Sequence, residues 1–333
     1  MASIRTLTDK GKRLAAVRST ADVKAAVDRR MTPSGRDRAS FASRRPMNSA
    51  ALFAGLVVAV AGFTSCAAGS PPKGADSGQA TGAIALPPTT GVFDYQLGSS
   101  YDRVDGEGGP RDIDVVVRDA TAPPLAGAYS VCYVNGFQTQ PGEAEQWLDR
   151  GDVLLRDAGG DLVADPAWPD EYVLDPSTAG QREGILDVIG PVIDGCAADG
   201  FDAVEIDNLD TWTRFDRIDR AGALALAAAY VERAHAAGLA IAQKNAAEIA
   251  RTAHDELGFD FAVTEECGAW DECAAYTDVY GDHVLQIEYP DSLDAASATF
   301  DAVCERPDRA RLTILRDRNL VAPHSAGYVY AAC

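Results

Sequence analysis

The sequence predicts a parallel α/β fold of the (β/α)8 TIM-barrel type, and three observations carry that reading. Short apolar runs recur along the chain, and each ends in polar or charged residues. Amphipathic segments of helical length separate several of them, the grammar of strand–helix units that build a parallel sheet. About eight such units over roughly 240 residues suit a barrel of this kind, which typically needs about 250. An open doubly wound sheet is the alternative. It is weakened because the Gly-rich candidate Gly106-Glu107-Gly108-Gly109-Pro110 follows no strand and opens no helix, so the nucleotide-binding fingerprint lacks its context.

Taken in order, the predicted strands are Val92-Phe93 leading to Asp94, Val115–Val117 to Arg118-Asp119, Tyr129–Val134 to Asn135, and Tyr172–Leu174 to Asp175. Then come Phe201–Ile206, Leu239–Gln243 ending in Lys244-Asn245, Phe259–Val263 in Thr264-Glu265-Glu266, His283–Ile287 in Glu288-Tyr289, and Leu312–Leu315 in Arg316-Asp317-Arg318. Helices are predicted at Gln181–Ala198, Ala221–Ala237, Ala246–Leu257 and Leu293–Glu305. The most informative stretch is Gly200–Asp210. Strand side chains alternate between faces, so Glu205 and Asp207 point the same way. Two acids on one face of a buried strand cost several kcal/mol unless they are paired or reach solvent at a rim. In parallel α/β folds that rim, at the carboxyl ends of the strands, is where active sites are built.

Three segments are expected: a basic extension with a signal peptide over 1–66, a flexible linker over 67–88, and a single barrel domain over 89–333. Residues 50–64 are apolar but too short for a comfortable membrane span, and follow Arg44-Arg45 as a signal-peptide h-region would. The run closes on Phe63-Thr64-Ser65-Cys66, similar to a lipoprotein cleavage box with Cys66 as the lipidated residue. The Ala/Gly/Ser/Pro-rich residues that follow read as a tether. The protein is therefore expected to be exported, extracellular or held at the cell surface by lipid on Cys66, and monomeric.

Charge and cysteine agree with export. The chain carries 30 Lys+Arg against 50 Asp+Glu, net −20, and because the first 66 residues are basic the acidity is concentrated in the domain. Nucleic acid is excluded as a partner, since neutralising phosphates needs the opposite sign; a cationic ligand would be concentrated. Six cysteines remain beyond Cys66, an even count that in an exported protein suggests disulfides whose pairing sequence cannot fix. Cys267–Cys273 would close a short loop, Cys304–Cys333 would staple the C-terminus, and Cys132–Cys196 would remain. No Cys-x-x-Cys occurs, and His235, His254, His283 and His324 form no ligand-spaced pair, so no metal and no cofactor is expected.

Beyond Lys73 the chain keeps one lysine, Lys244, against 16 arginines. A compact ammonium on a flexible stem is something arginine does not reproduce, and at a strand end it would steady neighbouring carboxylates. Asp94, Glu205, Asp207, Glu265 and Glu288, with Tyr95, Tyr133, Tyr289, Trp212 and Trp270 near in sequence, combine acids with flat apolar faces. Glycoside hydrolysis uses that combination, one carboxyl as proton donor and one carboxylate as nucleophile or base. Metal-assisted hydrolysis competes, because acids also bind hard cations; an ammonium within the ring argues against it. No Gly-x-Ser-x-Gly elbow supports a serine triad.

From about Val92 to Tyr289, and more loosely to the C-terminus, the chain resembles glycoside hydrolase family 114, the endo-α-1,4-polygalactosaminidases, which are TIM barrels. The matching pieces are Tyr95-Gln96-Leu97, Asp112-Ile113-Asp114, Val131–Asn135, Gly200–Asp210, Gln243-Lys244-Asn245, Phe259–Cys267 and Glu288-Tyr289. The resemblance implies Asp207 as nucleophile and Glu265 as acid/base, with Tyr133, Glu205, Asp210, Lys244 and Asn245 lining the sugar subsite. Asp94, Tyr95, Asn135, Asn208, Glu288 and Tyr289 are expected to contribute to substrate binding. It also implies a cationic amino-sugar polysaccharide, α-1,4-linked galactosamine, as substrate, for which an acidic cleft is suited. Ile206 stands where the family commonly has proline, and Thr264-Glu265-Glu266 where it commonly has Asn-Glu-Gln. A non-catalytic carbohydrate-binding lipoprotein of the same fold and a metal-dependent polysaccharide deacetylase are the competing functions.

Overall fold

Eight parallel strands curl side by side into one sheet in a computed structural model of the protein, which describes residues 84–333. They are β1 (Phe93–Gln96), β4 (Val115–Asp119), β5 (Tyr129–Asn135), β6 (Ala203–Asp207), β7 (Ala240–Lys244), β8 (Phe261–Glu265), β9 (Val284–Glu288) and β10 (Leu312–Arg316). A ninth, β11 (Tyr330–Ala332), adds to β10 antiparallel. The fold is thus mixed α/β on a curled, mainly parallel sheet. The predicted signal segment, Cys66 and residues 67–83 of the predicted linker lie outside the described residues. Within the described residues no helix is long and apolar enough to cross a membrane. The last residues assigned to the linker are docked: Ile84 packs on the core, and Tyr129 donates to the Ala85 carbonyl at 2.8 Å.

Strand alternation splits the core in two. Phe93, Val131, Ala203, Phe261, Leu285 and Ile314 face one another inside the curl. Their neighbours Cys132, Val204, Ile241 and Ala262 pack outward against helices. The principal helices are α2 (Ala179–Asp199) and α4 (Arg220–Ala236), with α1 (Ala144–Leu148) and α3 (Thr211–Arg214) as short turns before them. Thr178 starts α2 with a capping box closed by Gln181, and Gly200, at φ 92°, stops it in the left-handed conformation. That stop turns the chain directly into β6 and so places Glu205 and Asp207.

Several expectations need correction. Tyr172–Leu174 is not a strand of the sheet; isolated bridges tie it to Gln138, Leu154 and Ala164 in an irregular insertion. The helix expected over 246–257 is a 3-10 turn, a single α-turn α5 (Ala250–Thr252) and a π turn. Beyond β8 lie α6 (Cys267–Trp270) and α7 (Cys273–Tyr280). The helix expected over 293–305 divides into α8 (Pro290–Ala296) and α9 (Phe300–Cys304), broken at Ser297 with φ 56°. The Gly-rich run 106–109 is the turn of a hairpin between β2 (Arg103–Gly106) and β3 (Gly109–Asp112). Disulfides join Cys132–Cys196, Cys267–Cys273 and Cys304–Cys333.

No backbone ladder joins β1 to β10. Side chains bridge this seam instead. Arg316, fully buried, donates to the Tyr95 carbonyl at 2.7 Å and pairs with Asp94; Tyr330 donates to the Phe93 carbonyl at 2.9 Å. Asp94 was expected at the substrate site, and the structure corrects this. It is adjacent to Tyr95 within one strand, so the two side chains leave on opposite faces.

Candidate active site

Four neighbouring strands, β5 to β8, end on polar side chains that face the interior of the curl, and their register brings them together. Asn135 is opposite Asp207 and Tyr133 opposite Glu205. Ile206 pairs with Gln243, which sets Asp207 beside Lys244, while Lys244 pairs with Val263, one pleat below Glu265. A lysine stem is long enough to climb that pleat, roughly 6–7 Å along the strand. Just past three strand ends the chain turns left-handed, at Asn208 (φ 64°), Asn245 (φ 50°) and Glu266 (φ 66°). Asparagine tolerates that conformation; glutamate there is strained, which is often a mark of a functional rim.

Lys244 is the hub. Its Nζ lies 3.2 Å from Glu205 Oε1, 3.4 Å from Asp207 Oδ1 and 3.1 Å from Glu265 Oε2, and it donates to the Tyr95 hydroxyl at 3.0 Å. Tyr95 in turn donates to Glu205 at 2.8 Å, Tyr133 to Asp207 Oδ2 at 2.7 Å and Tyr289 to Glu265 Oε1 at 2.5 Å. Asn245 accepts from the Glu265 amide at 2.8 Å and reaches Glu265 Oε2 at 3.4 Å. Each carboxylate therefore has one tyrosine and a share of one ammonium.

Their environments differ. Burial pushes the Glu205 carboxyl up to about 7, with Lys244 pulling only partly against it. Its Oε2 is buried without a partner, where the proton of the neutral acid would sit. Burial acts on Asp207 in the same direction, but Lys244 and the Tyr133 hydrogen bond outweigh it and hold that carboxyl below the usual aspartate range. Burial alone would lower Lys244; Asp207, Glu265 and Glu205 hold it well above the usual lysine range instead. Glu205 is wholly buried, whereas Asp207 and Glu265 keep 18% and 25% of their side chains exposed. An approaching molecule meets those two.

A second group adjoins the first. Asn135 accepts from Asn208 at 3.1 Å and donates to Glu171 at 3.0 Å. Arg214 donates to Asn208 at 2.7 Å, pairs with Asp165 at 3.0 Å and lies 3.6 Å from Asp210. Asp210 is held at the start of α3, its carboxyl raised by burial. Glu171, Asp165 and Arg214 went unnoticed in sequence. The two acids sit in a loop without periodicity; the Asp210–Arg214 spacing of four was the one available signal.

Glu288 was expected to line the site and does not. It is wholly buried behind β9, accepting from the Gly268 amide at 2.7 Å, the Ala269 amide at 3.2 Å and Gln286 at 2.8 Å. Its strand parity is opposite to that of Ile287 and of Tyr289, which do face inward. Its chemistry is to cap α6. Trp212 lies beneath Arg220, while Trp270 is exposed and donates to Glu266 at 3.0 Å.

Comparison with known proteins adds to this geometry. The profile of Glycoside-hydrolase family GH114 matches residues 74–333. Among solved structures, Ega3 of Aspergillus fumigatus in complex with galactosamine is similar at 21% identity and a TM-score of 0.56, over 77% of this chain and all of that one. The glycoside hydrolase domain of PelA from Pseudomonas aeruginosa is similar at 16% identity and a TM-score of 0.47, over 72% and 96%. At 21% identity the likeness to Ega3 is one of fold. No curated protein matches the sequence.

Proposed function

Because the chain belongs to glycoside-hydrolase family GH114, we propose that it is an exported, retaining glycosidase of α-1,4-linked galactosamine polysaccharide, built on a (β/α)8 barrel with a side-chain seam. The chain is a glycosidase by family. Asp207 is the nucleophile and Glu265 the acid/base. The observation that carries these roles is their convergence on one lysine nitrogen. Legs of 3.4 Å and 3.1 Å cannot hold those oxygens more than about 6.5 Å apart, which favours the short carboxyl spacing of retaining enzymes, about 5–5.5 Å, over the wider inverting one.

In the proposed reaction the acid Glu265 starts with its proton and the nucleophile Asp207 without one, so with Glu205 neutral the Lys244 ammonium faces one negative charge. Asp207 attacks the anomeric carbon as the carbon–oxygen bond breaks, and the Glu265 proton goes to the departing oxygen. Asp207 is now a neutral ester and Glu265 a carboxylate, so Lys244 again faces one negative charge. Water then gives a proton to Glu265, attacks the same carbon and frees Asp207. Lys244 thus touches both the charge that disappears and the charge that appears, without moving. Tyr133 and Tyr289 hold the two carboxyls in place by their hydroxyls. That Ega3 was crystallised with galactosamine supports an amino-sugar substrate here. The three disulfides support export, and lipidation at Cys66 would anchor the chain.

Release of reducing ends from de-N-acetylated α-1,4-galactosaminan tests the reading. Asp207→Asn and Glu265→Gln are expected to lose about 10³-fold or more in turnover while still binding polymer. A parent protein that binds without turnover would instead be a binding module. Activity abolished by excess chelator, with acetate released, would make it a deacetylase.

A further inference from the structure

We propose that Glu171 is the residue that reads the free amine of the sugar, making the site selective for the de-N-acetylated substrate; this rests on the glycosidase reading above. Glu171 comes from the irregular insertion between β5 and α2 and is only 8% exposed. It touches the site through Asn135, whose Nδ2 donates to Oε2 at 3.0 Å. Among the described residues no lysine, arginine or histidine lies within ion-pairing distance of it. The charges around it are Asp207 and Asp165, which repel its ionised form, and Arg214, which is committed to Asp165 and Asn208. Burial first, and Asp207 next, push its carboxyl up to about 7.

A neutral acid in an otherwise apolar wall would be a structural detail, but the network around Glu171 is short of donors. Gln138 donates its Nε2 to Asp165 at 2.8 Å and its backbone amide to Asn135 Oδ1 at 3.0 Å, yet its own Oε1 is buried with no donor. Acceptors outnumber hydrogens here. An ammonium brings three hydrogens and the missing charge; an N-acetyl group brings one hydrogen, no charge and added bulk. The position fits as well, since Asn135 is in register with Asp207. A sugar whose anomeric carbon meets Asp207 carries its 2-substituent next to that carbon, on a level with the Asn135–Glu171 pair. Binding of the cation would ionise Glu171 and supply the counter-charge its surroundings lack.

The test is calorimetric binding and turnover of α-1,4-galactosamine oligosaccharide and its fully N-acetylated counterpart, with parent and Glu171→Gln proteins. Glutamine keeps the shape and can still accept from Asn135. The expected result is a loss of roughly 10- to 100-fold in affinity for the free amine, the scale of one charge-assisted hydrogen bond, with KM rising more than kcat falls. Affinity for the acetylated oligosaccharide should stay within a factor of about two. Equal losses on both sugars, or none, would overturn the assignment. If the variant does not fold, the parent decides: equal affinity for the two sugars also overturns it. Failure of the glycosidase reading looks different, because the parent would then turn over neither sugar while its binding preference still reports on Glu171.

Discussion

Replacing Lys244 with methionine removes the charge that three carboxyls share and leaves the stem's volume nearly intact. At an effective dielectric of 20, each of the contacts at 3.1–3.4 Å is worth about 5 kcal/mol gross. Most of that offsets the desolvation of a nearly fully buried ammonium. The relevant scale is the loss of one partner from a buried ion pair, about 3–5 kcal/mol. Methionine spares the protein one part of this, because Glu205 can remain neutral at little further cost. Asp207, the proposed nucleophile, cannot act when neutral, and without Lys244 only the Tyr133 and Asn208 hydrogen bonds remain against burial, so its carboxyl rises. Lys244→Met should therefore lower Tm by roughly 10 °C and move the acid limb of the kcat/KM profile upward by one unit or more. Thermal unfolding followed by circular dichroism and a pH–rate series are the assays. A Tm within about 2 °C of the parent, together with an unmoved acid limb, would refute the claim that the lysine holds the pair.

Glu205 yields a second expectation, in stability against pH. Its folded carboxyl is raised from 4.5 to about 7, so the folded state binds the proton more tightly, and that stability is present below about pH 4.5 and lost as pH rises through 7. Glu205→Gln should flatten the fall in unfolding free energy from urea titrations between pH 5 and 8 by up to roughly 3 kcal/mol; an unchanged slope contradicts it. Removing Cys132–Cys196, which closes 64 residues of chain, should cost about 4 kcal/mol and roughly 10 °C in Tm, and a double alanine variant melting with the parent would deny the tie its weight. Gly136→Ala would place a Cβ 2.6 Å from Ile206 Cγ2 and 3.0 Å from the Tyr230 ring. Because Ile206 adjoins Asp207, the expected loss of about 1–3 kcal/mol should come with a fall in kcat, and unaltered kcat would show that β6 is not so constrained.

How much of this was legible in the chain follows from the physics of strands. Glu205, Asp207, Lys244 and Glu265 were visible because a buried strand rarely ends in charge without reason. Parity then linked residues two apart. The same rule excludes Asp94 beside Tyr95 and Glu288 beside Tyr289 from sharing one face, and applying it to every strand would have left only one of each pair at the substrate site. The seam could not be read, since Arg316 and Asp94 are 222 residues apart and no local pattern links them. Glu171 was hidden for a different reason. Irregular backbone has no period, and its side chain gains meaning only from Asn135 and Asp207 across space. The helices expected over 246–257 and 293–305 carried convincing composition, but left-handed residues, Ala246 at the start of one and Ser297 inside the other, interrupt them in a way that intrinsic preference does not announce.

The central claim is that Asp207 and Glu265 act on the same glycosidic bond, and trapping its anomeric carbon tests it most directly. An activated α-galactosaminyl fluoride needs little help from an acid to leave, so Glu265→Gln protein should load it and then stall for want of a base. Mass spectrometry of quenched, digested protein is predicted to find one hexosamine residue esterified to Asp207. Product of inverted anomeric configuration with no adduct on Asp207 would contradict the account.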